Sequence, residues 1–353
     1  MDSAQTSMQA VVFNGPLDMT VQTLPRPSPA PGEVLLRIET VGICSSDVHG
    51  FTGESGRRAP GMVMGHEASG QVVAHGPDVR GPAIGSRVVV FNILAHVAPA
   101  PGEGDPSFLN KQVIGVNLGR RGAMAEYLAL PAKNALTIDE GVAPEIGLLA
   151  EPLAVVTHGF HRLQRTGVTG KKLAIVGCGP IGLATILVAG ARGFDNIAVL
   201  DTNANRAERG RSFGARPVVV DSEESKDAVA TRVEAALSGP ADVVVEAVGS
   251  QSSALTCFAL ANTGSTILLI GNIAKQVELP LQDVVSKEVT LVGTYGFDDS
   301  SFGESLAMLP QVQDRLATFI EDRCTLEETP EMMAALANGG KRPLKVIIDI
   351  WRG

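Results

Sequence analysis

The segment Lys172-Leu173-Ala174-Ile175-Val176, followed at once by Gly177-Cys178-Gly179-Pro180-Ile181-Gly182, leaves this chain few folds to choose from. An apolar run of strand length meets a glycine turn, and an uncharged helical run continues to Arg192. A bare GxGxxG is weak evidence, but strand, glycine turn and helix in this order form the first half of a dinucleotide-binding fold. The absent side chains let a pyrophosphate approach the backbone at the positive end of a helix. Gly177, Gly179, Pro180, Ile181 and Gly182 are therefore candidate cofactor-binding residues. The next strand, NIAVL, ends in Asp201. A carboxylate there accepts from a ribose 2′-hydroxyl and repels a 2′-phosphate, so NAD is expected over NADP. Arg206 complicates this reading, because a nearby arginine can accommodate that phosphate.

The alternation continues through RPVVVD, a helix to about Leu237, ADVVVEAVG, a helix through Ala261, STILLIG and VTLVGTYGF. Such βα repetition predicts a parallel sheet with helices on both faces. Gly249 and Gly271 close two of the strands, where the cofactor crevice should lie. The uncharged run from Leu173 to Ala191 is long enough to suggest a membrane span, but its glycines and Pro180 argue for strand and turn. At 353 residues the chain favours two domains. A net charge of -9 advertises no basic face for nucleic acid or anionic lipid. Four scattered cysteines, with no signal-like N-terminus, suggest a reducing, cytoplasmic setting.

The first part of the chain is different. MQAVVF and EVLLRIETVGI read as strands, the second alternating as a half-buried one that leads into Cys44. Downstream stands Gly65-His66-Glu67-Ala68-Ser69-Gly70, with Gly76 and Val79 beyond. Thiolate, imidazole and carboxylate are donors that suit Zn²⁺, and three protein ligands leave one position open for water or substrate. GHE-x2-G-x5-G-x2-V resembles the zinc signature of the medium-chain dehydrogenase/reductase family, which includes zinc alcohol and polyol dehydrogenases. The likeness runs from about Met8 to the C-terminus.

That resemblance implies an α/β protein with a GroES-like β-rich catalytic domain, residues 1–154 and 299–353, and a Rossmann domain, residues 155–298. It implies Cys44, His66, Glu67 and Glu151 as metal residues, Glu151 by its place in an EPL segment. Ser46 would touch the reacting hydroxyl, Asp47 orient the ligand histidine, and His49 pass the proton outward. Each has a plainer rival. A lone cysteine fills cores, Ser46 and Asp47 suit a helix start, a histidine such as His49 is often merely solvated, and Glu151 precedes proline at a helix start. One zinc cannot easily take both glutamates and an alcohol, so Glu67 is expected as the resting ligand and Glu151 as the partner of the bound water. The lobe from Phe91 to Gly115 contains no cysteine. The structural zinc many relatives hold there is expected to be missing, and His96 to be a surface residue.

The implied reaction moves a hydride between a secondary alcohol, of polyol or sugar type, and the nicotinamide of NAD, with zinc as Lewis acid. Gly296 stands where some polyol dehydrogenases carry arginine. Arg57 and Arg58 could bind an acidic or phosphorylated sugar, or form a solvated turn. A homodimer or homotetramer is expected. A catalytically inactive, cofactor-binding scaffold and a zinc-free NADPH reductase remain as alternatives.

Overall fold

The computed structural model describes residues 6–95, 112–117, 121–221, 223–340 and 343–352. They fall into two compact units, one of residues 1–151 and 306–353, the other of residues 152–305.

The first unit is mainly β. Its larger sheet is built around the strand Glu33–Ile43, which pairs antiparallel with Glu67–His75, Tyr127–Pro131 and the C-terminal strand Lys345–Asp349. Arg87–Val90 and Ala135–Thr137 extend the sheet on one side, and Ile320–Thr325 on the other. The segment Glu33–Ile43 is therefore not half-buried as its alternation predicts. Having partners along both edges, it is covered over most of its length, and Leu36, Ile38 and Val41 lose all solvent contact. A smaller sheet of Asp18–Pro25, Ser7–Gly15 and Met62–Val63 lies beside it. Phe13, Phe51, Met64 and Met124 fill the shared core, each side chain contributing about 1.5–3 kcal/mol by leaving water.

Register positions the chemistry. Gly42 stands opposite Glu67, and a Cβ on Gly42 would lie 2.5 Å from the Glu67 carboxylate. The missing side chain makes room for that charge. Gly70 faces Ile38, where a Cβ would lie 2.3 Å from the Arg37 carbonyl oxygen. The glycines of the GHE segment thus answer to close approach between strands.

The second unit is a six-stranded parallel sheet ordered Arg216–Val219, Asn196–Asp201, Lys172–Val176, Ala241–Glu246, Ala261–Leu269, Thr290–Gly293. The helices Pro180–Ala191, Ala204–Phe213, Lys226–Leu237 and Gln251–Leu260 connect successive strands, and apolar runs such as VVV suit strands covered on both faces. The order reverses between Lys172–Val176 and Ala241–Glu246, and such a switch point opens a crevice at the carboxyl ends of the strands. The uncharged run from Leu173 splits into strand, turn and helix, and no described helix is long and apolar enough to cross a membrane. Pro152 does not break the helix Ala150–Gln164. It sits in the first turn, where its missing N–H costs little.

Two glycines of one helix should respond oppositely to a methyl group. At Gly182 a Cβ would lie 1.9 Å from the Gly177 carbonyl oxygen, whereas at Gly190 nothing stands within 4 Å. Gly182→Ala should lower the melting temperature by several degrees. Gly190→Ala should hold or raise it, since alanine is better in helices by up to about 1 kcal/mol. Thermal melts followed by circular dichroism give the comparison, and equal effects would show that the turn tolerates the methyl group.

Candidate functional site

In the first unit the central strand ends at Ile43, and Cys44 forms the N-cap of the helix Ser45–Phe51. His66 and Glu67 lie at the start of the neighbouring strand. One ligand atom each from Cys44, His66 and Glu67 lie within 4.8 Å of one another. His66 and Glu67 are buried and Cys44 is partly open. Asp47, wholly buried, serves both of its neighbours. Its Oδ2 accepts the Cys44 N–H at 3.2 Å, which caps the helix. Its Oδ1 stands 3.2 Å from His66 Nδ1, an ion-pair contact without good hydrogen-bond alignment. With Nδ1 turned to Asp47, the other ring nitrogen, Nε2, faces Ser46 Oγ at 3.5 Å, and ligation through one ring nitrogen with the other fixed by a carboxylate is the usual state of a zinc-bound histidine.

Both glutamates converge here, with different partners. Lys345, buried on the C-terminal strand, donates to both Glu67 oxygens at 2.8 and 2.6 Å. Glu151, in the first turn of the helix Ala150–Gln164, accepts from Asn92 Nδ2 at 3.1 Å, and the same amide donates to the His66 carbonyl oxygen at 3.3 Å. Burial, with Glu67 close by, pushes the Glu151 carboxyl up to about 7 despite the opposing pull of His66 and Lys345. Burial works against a charged His66, but Asp47 and Cys44 outweigh it and hold the imidazole well above its ordinary value.

These shifts have one origin. Asp47, Glu67 and Glu151 bring three carboxylates to this corner, and Cys44 a thiol, against the two positive charges of Arg58 and Lys345. The acidic groups outnumber the built-in cations and burial leaves little water to solvate the excess, so His66 and Glu151 are both pushed toward their protonated forms. A divalent cation would balance the site, and sulfur, imidazole and carboxylate are zinc donors. The residues fit a zinc ion.

His49 is outside the buried cluster, its Nδ1 2.7 Å from Glu54 Oε2. Ser46 is exposed beside His66. Arg58 neither lies in a solvated turn nor faces outward: its side chain is 3% exposed and its Nη2 lies 3.3 Å from Asp47 Oδ1. Arg57 is exposed. Lys345, Asn92 and the buried role of Arg58 were not anticipated. A lysine inside the apolar run PLKVIIDI was the one available signal. His96 and most of its lobe lie outside the described residues.

In the second unit Gly177 takes φ +101°, open to glycine and strained for other residues, and Gly182 packs against its carbonyl. Gly179 caps the helix that begins with Pro180 and Ile181. Asp201 is anchored beside this turn, accepting the Cys178 N–H at 3.0 Å and the Asn203 N–H at 2.8 Å. Arg206 lies in the following helix, its amide donating to Asn203 Oδ1. Gly249 and Gly271 pack on each other: a Cβ on Gly271 would lie 2.2 Å from the Gly249 nitrogen. Buried Glu246 accepts both the Val248 and Gly249 N–H groups. Their missing side chains let the segments after two adjacent strands pass close to each other.

A glycine-turn parallel sheet in one unit and a cysteine–histidine–glutamate cluster in the other define a nucleotide- and metal-dependent oxidoreductase. The alcohol dehydrogenase GroES-like domain family matches residues 30–140, and the zinc-binding dehydrogenase family matches residues 180–311. The sorbitol dehydrogenase of Bos taurus is 31% identical over 363 residues, covering 99% of this chain and 98% of that protein. The human one is 30% identical over 357 residues, covering 96% and 95%. Among solved structures, one described as a zinc-binding dehydrogenase from Sinorhizobium meliloti 1021 bound to NADP superposes with a TM-score of 0.86 at 28% identity, covering 98% of this chain and 100% of the other. The 2R,3R-butanediol dehydrogenase of Bacillus subtilis gives 0.82 at 25% identity, covering 97% and 99%. The chain belongs to the zinc-binding dehydrogenases of the medium-chain dehydrogenase/reductase family. It is a zinc-dependent oxidoreductase of the alcohol and polyol type, working with a nicotinamide cofactor.

Proposed function

We propose that this enzyme oxidises a secondary alcohol of a polyol or sugar with NAD, using one catalytic zinc per chain and no structural zinc. The observation that carries this reading is the convergence of Cys44, His66 and Glu67 within 4.8 Å, in a pocket of charge short of one divalent cation. That cluster also speaks against a zinc-free reductase and against an inactive scaffold. Zinc, when bound, supplies Lewis acidity toward the substrate oxygen. The chain's own residues do the rest. Cys44, His66 and Glu67 hold the metal, with Lys345 fixing the Glu67 carboxylate through both of its oxygens, while Glu151 completes the charge balance without a direct bond. Ser46 accepts the alcohol proton as it gives up its own, and His49, paired with Glu54, carries the proton outward. In the other unit the turn from Gly177 to Gly182 takes the pyrophosphate on backbone N–H groups. Asp201 takes the ribose hydroxyls, and Gly249 and Gly271 leave the crevice open for the cofactor.

Metal analysis should find one zinc per chain, and zinc uptake should release protons and weaken below neutral pH, because the ligands must shed protons first. Glu67→Gln should weaken zinc retention. Glu151→Gln should keep zinc but shift the dependence of kcat on pH. Loss of metal from the Glu151 variant alone would reverse the two roles, and two tight zincs per chain would place a second site outside the described residues.

NAD preference rests on the Asp201 carboxylate. Asp201→Ser should raise KM for NAD and lower it for NADP, with Arg206 left to meet the added phosphate, while kcat changes little because the ribose is remote from the chemistry. A native preference for NADP, the nucleotide bound in the Sinorhizobium relative, would sink the assignment.

A homodimer or homotetramer is supported by the apolar side chains beside the edge strand Thr290–Gly293. Leu281 and Val285 are 71% and 70% exposed, and Ile273 and Tyr295 lie more than 40% open. Unpaired edges with exposed apolar residues recruit partners. Light scattering should report at least two chains per particle, and Leu281→Glu should shift the population toward one.

A further inference from the structure

We propose that Arg58 is a positioning residue for the metal centre, holding the Asp47 carboxylate where it can serve His66 and Cys44 together. The inference rests on the reading that Cys44 and His66 ligate zinc. Asp47 has no solvent exposure, and its oxygens are divided between two tasks. Oδ2 takes the Cys44 N–H at 3.2 Å, which fixes the backbone that presents the thiol. Oδ1 lies between His66 Nδ1 at 3.2 Å and Arg58 Nη2 at 3.3 Å. A buried carboxylate facing one imidazole alone would be pulled toward that ring, or would draw water in. The guanidinium supplies an opposing attraction from the other side.

Arg58 is itself fixed. Nη1 donates to the Val116 carbonyl oxygen at 3.2 Å, while Nε makes no hydrogen bond, so the anchoring rests on the two terminal nitrogens. Its side chain lies across Gly50, where a Cβ would sit 2.9 Å from Arg58 Cγ and Nε. The glycine at position 50 and the arginine at position 58 therefore fit as a pair, and both lie behind the ligands rather than among them. Removing such an outer partner of a metal-bound histidine costs about 10–100-fold in metal affinity.

The test follows zinc release from the holoenzyme to a colorimetric chelator, with thermal melts of the metal-free forms alongside. Arg58→Met should release zinc about 10–100-fold faster than the natural chain. Arg58→Lys, able to keep one of the two contacts, should fall between them. Gly50→Ala, which displaces Arg58 and keeps every charge, should speed release as well, and it carries the test should the methionine variant fail to fold. In an Asp47→Asn background Arg58→Met should add no further acceleration, because Arg58 acts through Asp47. Release at the natural rate in folded Arg58 variants, whatever their melting temperature, overturns the proposal, as does equal acceleration with and without Asp47. Cys44→Ser tests the ligand reading separately: stoichiometric zinc retained in that variant would overturn the ligand set.

Discussion

Three buried carboxylates beside a half-open thiol, in one corner of a β-rich unit, must be balanced by positive charge, and the architecture of the first unit follows from how that balance is reached. Two of the counter-charges are built in. Lys345 lies against Glu67 and Arg58 against Asp47, each pair almost wholly withdrawn from water. Removing one partner from such a pair leaves a buried unpaired charge, which is far costlier than replacing both. The Glu151 carboxyl is left without an ion-pair partner among the described residues, beside a thiol that a cation can ionise. A protein could have neutralised it with another lysine. Leaving it open creates a site whose affinity for a divalent cation is part of its folding energetics.

The sheet makes this arrangement possible at long range. Cys44 ends one strand, Glu67 begins the next, and Lys345 begins a third that pairs along the other edge of the first. The register that sets Gly42 opposite Glu67 leaves no room to slip, since a shift by one residue would turn the carboxylate to the other face. The short helix Ser45–Phe51 then turns Asp47 back beneath the ligands. Metal geometry, helix capping and strand register are therefore one constraint seen at three scales.

Much of this was legible in the chain. The glycine turn after an apolar strand announced the parallel sheet, and Cys44 with the GHE segment announced the metal, because both patterns are local and each residue type has few other uses there. The counter-charges were not legible. Arg58 in GESGRRAP reads as a solvated turn until Gly50 is seen to leave space for it, and Lys345 lies at the far end of the chain from Glu67. Pairing at that separation depends on sheet order, which periodicity does not encode. For the same reason Glu33–Ile43 was read as half-buried: alternation reports the two faces of a strand, but not how many neighbours cover them. His49 pairs with Glu54 five residues on, a contact that helical spacing does not show.

The nucleotide unit solves a simpler electrostatic problem by a related device. Asp201 directs one oxygen to the Cys178 N–H, inside the glycine turn, and the other to the Asn203 N–H at the start of the next helix. Two charge-assisted bonds to backbone fix the carboxylate before any ligand arrives. A carboxylate held in this way needs no reordering to accept a further hydrogen bond, so little conformational entropy would be lost in making one. The same bonds tie the carboxylate to the glycine turn, from which it cannot rotate without surrendering the Cys178 and Asn203 amides. Arg206 follows in the next helix, its backbone amide held by Asn203 Oδ1. The position of the Asp201 carboxylate is therefore set by the turn itself before any ligand is met.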